Sequence, residues 1–377
     1  MSLVIDTNFY GGAITVIEAK DPRNVTLALR PDTAAPDIAQ WFHFRLYSTP
    51  GVALTLKIVN AGKSAYPGGW EDYRACVSPD GGITWQRTET SYDGSVMTIS
   101  YTPVSGVTEF AYFAPFTGED TQRMLGKALQ DPRASLDVLG HSIQGQPIQR
   151  LLVREGSAKK TPVWFTARQH PGESQGGFVL QGFLGRLLNA ADPVSRALLG
   201  VAEFHVVADI NPDGTRAGNL RTNAVGANLN REWEAATQER SPEVLCVREE
   251  MKRTGASVVM DLHGDEALPY VFIVNPGDVP GMTNEQHDRR QRFDKALLGL
   301  NRDFQTEYNY PPSRPDHAAV KKLSPWATVN LGALAMTVEM PFKDNANLPD
   351  PTEGWSPDKC RRLGYDFVAA LASDLVK

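Results

Sequence analysis

The sequence predicts two domains: an antiparallel β-sandwich over residues 1–118, then over 119–377 an α/β domain whose mixed, largely parallel sheet is flanked by helices. Three observations predict this plan. A chain of 377 residues exceeds what one hydrophobic core usually organises. Its first third consists of short apolar and aromatic runs separated by turn residues. After Thr117-Gly118-Glu119-Asp120, strand-like runs alternate with longer amphipathic segments, the pattern of an α/β layer structure.

In the first part, runs at 13–19, 25–29, 41–47, 53–59, 74–77, 97–101 and 109–113 read as strands. Several alternate in polarity, as in Trp41-Phe42-His43-Phe44-Arg45-Leu46-Tyr47, and Pro79-Asp80-Gly81-Gly82 marks a turn. Trp41, Trp70 and Trp85 read as core or domain-interface residues. In the second part, 162–167, 201–210, 258–262, 270–274 and 334–339 read as strands. Segment 178–190 has apolar residues at helical spacing, and Ser241-Pro242-Glu243 opens a helix that Gly255 closes. Ser356-Pro357 repeats that start signal, and Leu363, Phe367, Leu371 and Leu375 form one stripe of a last helix packed on the sheet. Neither part contains a repeat of fixed period or a low-complexity tract.

Charge and composition exclude several functional classes. The formal net charge is −6, with 8 basic and 11 acidic side chains through residue 118 and 30 and 33 after it. No basic patch points to nucleic acid. No run approaches the roughly 18 apolar residues of a membrane span, and the N-terminus lacks a basic region followed by a long apolar stretch. Cys76, Cys246 and Cys360 are too few and too widely spaced for a disulfide framework, which fits a reducing compartment. A cytoplasmic protein is the simplest expectation.

The chemistry concentrates in His170-Pro171-Gly172-Glu173 and in Asp261-Leu262-His263-Gly264. Both follow or end strand-like runs, and open α/β sheets collect ligands at the carboxyl ends of their strands. Pro171 suits a helix's first turn, which would set His170 and Glu173 one turn apart, facing one metal ion. Together with His263 they make two imidazoles and a carboxylate, a set that suits one Zn2+ and leaves a position for water. His43, His141, His205, His287 and His317 lack paired ligands and read as packing or surface residues. Asp265 and Glu266 read as a solvated acidic loop.

These segments, with Asn211-Pro212-Asp213-Gly214, Gly218-Asn219-Leu220-Arg221, Gly226-Ala227-Asn228-Leu229-Asn230-Arg231-Glu232-Trp233 and Thr337-Val338-Glu339, resemble the zinc metallocarboxypeptidases in order and spacing. The sandwich, closing with Phe110-Ala111-Tyr112-Phe113-Ala114-Pro115-Phe116, is similar to the N-terminal domain of their cytosolic carboxypeptidase branch. The resemblance implies a carboxypeptidase-like fold for 119–377 and hydrolysis of the C-terminal peptide bond, or the bond to a side-chain-linked amino acid, of a peptide or protein. It implies Glu339 as general base, Arg221 on the oxyanion and substrate, and Asn230 and Arg231 on the substrate's terminal carboxylate.

Three positions depart from the family pattern or leave a choice within it. Asn228 stands where relatives carry an aspartate that accepts a hydrogen bond from a metal-bound histidine. Ser324 stands where glutamate-removing members carry an arginine, with Lys321 and Lys322 nearby and read as solvated. Tyr308 and Tyr310 are both candidates for a tyrosine that closes over substrate. Two other functions fit the same residues: a zinc amidohydrolase acting on small N-acyl amino acids, and a non-catalytic binding protein.

Overall fold

The structure, a computed structural model, describes residues 3–275, 279, 281–311 and 320–376. His317, read above as a packing or surface residue, lies outside them.

Among the described residues, ten strands precede residue 112: β1 (Val4–Asp6), β2 (Thr15–Glu18), β3 (Val25–Ala28), β4 (His43–Tyr47), β5 (Leu54–Ile58), β6 (Cys76–Ser78), β7 (Gln86–Arg87), β8 (Glu89–Tyr92), β9 (Met97–Tyr101) and β10 (Val107–Ala111). They form two five-stranded sheets, ordered β1-β4-β10-β6-β7 and β2-β3-β5-β9-β8. Every pairing is antiparallel except β3 with β5. Side chains alternate across a strand, so β3 and β5 send Val25, Leu27, Leu54, Leu56 and Ile58 inward, where they share one core with Phe44 and Phe110 of the other sheet.

The second part comprises α1 (Gly118–Ala128), β11 (Ala134–His141), β12 (Pro147–Val153), β13 (Thr161–Ala167), α2 (Gln175–Leu187), α3 (Pro193–Val201), β14 (Ala202–Val207), α4 (Pro212–Ala217), α5 (Pro242–Thr254), β15 (Val258–Asp265), β16 (Phe272–Ile273), α6 (Asn284–Leu300), α7 (Leu323–Leu331), β17 (Leu334–Pro341) and α8 (Pro357–Leu375). The sheet order is β11-β12-β14-β13-β15-β17-β16. The four inner strands run parallel and the outer pairings are antiparallel. Inner strands are covered on both faces, so β15 is buried at all eight positions. Helices α2 and α8 cross at Gly182 and Gly364, where a Cβ on either would strike the other helix's backbone.

The two parts share one continuous hydrophobic core. Tyr112 stacks on Phe342 with ring centroids 4.3 Å apart, and the Arg87 guanidinium donates to the carbonyls of Glu353 and Trp355. Cys360 is buried in this core, Cys76 is buried and Cys246 is half-buried, all as free thiols. Trp41 and Trp70 are buried too. No helix among the described residues is long and apolar enough to cross a membrane.

Candidate active site

The site forms at the carboxyl ends of β13, β15 and β17. Beyond β13 the backbone turns sharply at Arg168, whose φ is +66°. The expected helical turn at Pro171 does not form; α2 starts at Gln175. The cause is a competing hydrogen bond. Gly172 N donates to the Leu220 carbonyl at 2.8 Å, in a loop beyond α4, and a tight turn closed by Glu173 N to His170 O at 3.2 Å takes the helix's place. That turn brings the two side chains together as a helix would have.

His170, Glu173 and His263 converge in a buried cluster. His170 Nδ1 lies 2.6 Å from Glu173 Oε1, His263 Nδ1 lies 2.7 Å from Glu173 Oε2, and the two Nδ1 atoms are 3.2 Å apart. The outer ring nitrogens decide the tautomers. His263 Nε2 faces Asp261 Oδ2 at 2.9 Å, an oxygen that also accepts from Gln169 Nε2, so Nε2 carries the hydrogen. His170 Nε2 lies 3.1 Å from Asn228 Oδ1, an oxygen that also accepts from Asn230 N, so this nitrogen too is the donor. Two bare imidazole lone pairs and a carboxylate therefore face one point. A buried cluster of acceptors needs a cation, and this set is the one zinc prefers. Without one, the cluster draws a proton instead. Burial opposes charge on His263, yet Asp261 and Glu173 hold its imidazole well above the usual range. Burial and the Arg221 charge push His170 down to about 4.

Asp261 is itself held in place. Thr166 Oγ1 and Gln169 Nε2 donate to its carboxylate at 2.8–2.9 Å, and Trp233 Nε1 fixes Gln169 by donating to Oε1 at 2.7 Å. The sequence reading did not assign Asp261 a role. Its signal was available: two residues before His263 on a strand places both side chains on one face.

Glu339 sits on β17 in register with His263. Its carboxylate is buried, and Oε2 has no hydrogen-bond partner. Burial pushes this carboxyl up to about 8, with Glu173 and Asp265 adding to the rise and His263 and Tyr310 opposing it. Arg221, Asn230 and Arg231 line the same cleft as His170, Glu173, His263 and Glu339, so all seven expected residues meet at one site. Arg221 lies under the ring of Tyr66, 5.6 Å from its centroid. Asn230 Oδ1 accepts from Leu323 N at 3.1 Å, and its Nδ2 is 3.3 Å from His263 Nε2. Arg231 is exposed, with Nη1 donating to the Asn230 carbonyl at 2.8 Å.

Asp265 and Glu266, expected in a solvated loop, are buried and line the cleft. The sandwich packs on Glu266: a Cβ on Gly69 would lie 3.0 Å from it. Burial, with Glu173 adding to it, raises the Glu266 carboxyl well above the usual range. Of the two tyrosines, Tyr310 lines the cleft and donates to Asp265 Oδ2 at 2.6 Å, while Tyr308 is exposed and stacks on Tyr270. Ser324 is buried beneath the cleft with its hydroxyl 2.8 Å from that of Thr337, and Lys322 stands at the rim. His43 and His205 are buried away from the site, against Glu109 and Trp164.

A cluster of two histidines and one glutamate that could hold one metal ion, beside a further acid at the ends of parallel strands, is the arrangement of a hydrolytic metalloenzyme. Residues 124–358 match the zinc carboxypeptidase family and residues 5–113 the cytosolic carboxypeptidase N-terminal domain; the chain belongs to the zinc carboxypeptidase family and is a zinc metallocarboxypeptidase. A protein of Zymomonas mobilis is 41% identical over 372 residues, 99% of this chain and 96% of its own. Crystal structures of metallo-carboxypeptidases superpose closely: that of Burkholderia cenocepacia with TM-score 0.96 and 41% identity, and that of Pseudomonas aeruginosa, in complex with (2-guanidinoethylmercapto)succinic acid, with 0.94 and 39%, each over 98% of both chains. Human cytosolic carboxypeptidase 2 is 29% identical over 72% of this chain, which spans about a third (34%) of that relative's length.

Proposed function

We propose that the enzyme removes the C-terminal residue of peptides or proteins, with His170, Glu173 and His263 holding one Zn2+ and Glu339 moving the proton. The chemistry a zinc ion supplies there is Lewis acidity, which polarises a carbonyl and makes water acidic near neutrality. Glu339 takes the proton of the attacking water and later delivers it to the leaving amine; its partnerless Oε2, in register with His263, is the observation that carries this role. Arg221 meets the oxyanion as it develops, in a cleft dry enough to strengthen the contact. Arg231, paired through its planar guanidinium, and the Asn230 Nδ2 hold the substrate's free carboxylate and so enforce cleavage at the chain end.

The last side chain is neutral or basic rather than acidic. The Ser324 and Thr337 hydroxyls satisfy each other, and the carboxyls of Asp265 and Glu266 line the same cleft. The guanidino compound bound to the Pseudomonas aeruginosa relative agrees with a cleft lined by carboxyl acceptors.

A peptide panel varying only the last residue, read by mass spectrometry, tests the reading. Single-residue trimming is expected, abolished by C-terminal amidation. Cleavage of N-acyl amino acids in preference to every peptide would instead establish a small-molecule amidohydrolase.

A further inference from the structure

Arg221 stands in a loop without regular structure, between α4 and the short turn at Leu229–Arg231. The backbone N–H groups of residues 220–222 find no partner in any helix or strand. They are satisfied from the sandwich, almost 190 residues away in sequence. Asp32, buried between the domains, accepts from Leu220 N on Oδ1 at 2.6 Å and from Arg221 N and Thr222 N on Oδ2 at 2.8 and 2.9 Å. The Thr222 hydroxyl adds a fourth bond at 3.0 Å. Three consecutive amides wrapped around one carboxylate form an anion nest, here filled by the protein's own side chain.

The neighbouring contacts make the grip specific. Thr33 N and Oγ1 both donate to Asn219 Oδ1, at 3.0 and 3.2 Å. Gly218, with φ of +71°, lets the loop pass the Gly11 carbonyl, which a Cβ would approach to 2.7 Å. On its far side the loop accepts Gly172 N at Leu220 O, within the turn that carries His170 and Glu173. Tyr66, also from the sandwich, lies against the Arg221 guanidinium.

We propose that Asp32 is a positioning residue for catalysis: by organising the amides of residues 220–222 it aims the Arg221 guanidinium at the reacting carbonyl, so the sandwich is a working part of the active site. This rests on Arg221 acting on the oxyanion. The physical basis is that a guanidinium displaced by about 1 Å loses much of its effect on a transition state, on the order of 10²-fold in rate, while ground-state binding through Arg231 is untouched. Asp32→Asn keeps the shape but turns an amide donor toward backbone donors, which undoes the nest.

The test is a double-mutant cycle on the zinc-loaded full chain, with kcat and KM measured on a C-terminal peptide and zinc content on every variant. Asp32→Asn is expected to lower kcat by about 10- to 100-fold with KM within about twofold and zinc content unchanged, and Arg221→Ala to lower kcat by 10² or more. In the Arg221→Ala background, adding Asp32→Asn should change kcat by less than about twofold, because both act through one guanidinium. Multiplicative losses overturn the proposal, as does full kcat in Asp32→Asn while Arg221→Ala is impaired. Normal kcat in Arg221→Ala overturns the oxyanion role of Arg221 and this proposal with it. If Asp32→Asn yields no folded protein, Asp32→Glu, which keeps the carboxylate on a longer arm, replaces it in the cycle under the same criteria.

Discussion

His263 and Glu339 stand opposite each other in register on the parallel strands β15 and β17, so an imidazole of the candidate metal cluster and a carboxylate with a partnerless oxygen lie side by side at the ends of these strands. The strand pairing itself sets their separation, without help from any mobile loop. Glu339→Gln removes the proton acceptor while conserving shape. We expect turnover to fall by roughly 10²- to 10⁴-fold with zinc content preserved. Thermal stability should be equal or higher, because the substitution takes a buried unpaired carboxyl out of the core. Turnover near that of the wild type, measured on a C-terminal peptide, would remove Glu339 from the mechanism.

The hydrogen bond from His170 Nε2 to Asn228 Oδ1, 3.1 Å long, sets up the second prediction. Asparagine orients the ring as well as aspartate would but adds no charge, so the imidazole stays a weaker donor to a metal. His263, backed by the Asp261 carboxylate, shows the alternative within the same site. Asn228→Asp is expected to tighten zinc binding by about tenfold in chelator competition. Unchanged or weaker affinity would show that the neutral partner costs nothing.

The candidate metal cluster was legible because its signals are local: a His-x-x-Glu pair after one strand and a histidine ending another. The sandwich strands were legible where alternation is strong, as in β4 and β5. The hairpin β11–β12 went unread because β11 lies at the sheet edge and buries no residue fully, leaving little apolar pattern. Asp265 and Glu266 misled because acidic residues after a strand normally meet water; here the sandwich packs on Glu266 and Tyr310 on Asp265. Asp32 and Tyr66 gave no signal at all. Their contacts are made across the domain interface, and nothing in Pro31-Asp32-Thr33 distinguishes that aspartate from an ordinary turn residue.

Metal removal should reveal how much of the fold depends on the centre. Three acceptors brought within 3.2 Å of one another are stable only around a cation or a trapped proton. A ligand that binds only the folded state stabilises it, by about 4 kcal/mol at a thousandfold excess over Kd. Chelation is therefore expected to abolish activity and lower Tm, with zinc restoring both. In His170→Ala, chelation should barely move Tm. An equal shift in that variant, followed by calorimetry, would place the stabilising ion elsewhere.

The last prediction concerns Glu243, on the first turn of α5 and fully buried. Burial pushes its carboxyl up to about 7 from an ordinary 4.5, with Asp213 adding to the rise and the Asn223 amide and nearby backbone donors opposing it. A raised carboxyl favours the folded state only while protonated. Its contribution is thus fully present below pH 4.5 and is lost as pH rises to about 7, a change on the order of 3 kcal/mol. Glu243→Gln keeps the shape without the ionisation. We expect the variant to match the wild type near pH 4.5 and to exceed it by up to that amount above pH 7, in urea unfolding of zinc-loaded protein. Because the comparison is variant against wild type at each pH, loss of zinc in acid affects both alike and cancels. A difference independent of pH would show that Glu243 is ionised throughout, with Asn223 and the start of α5 compensating its charge.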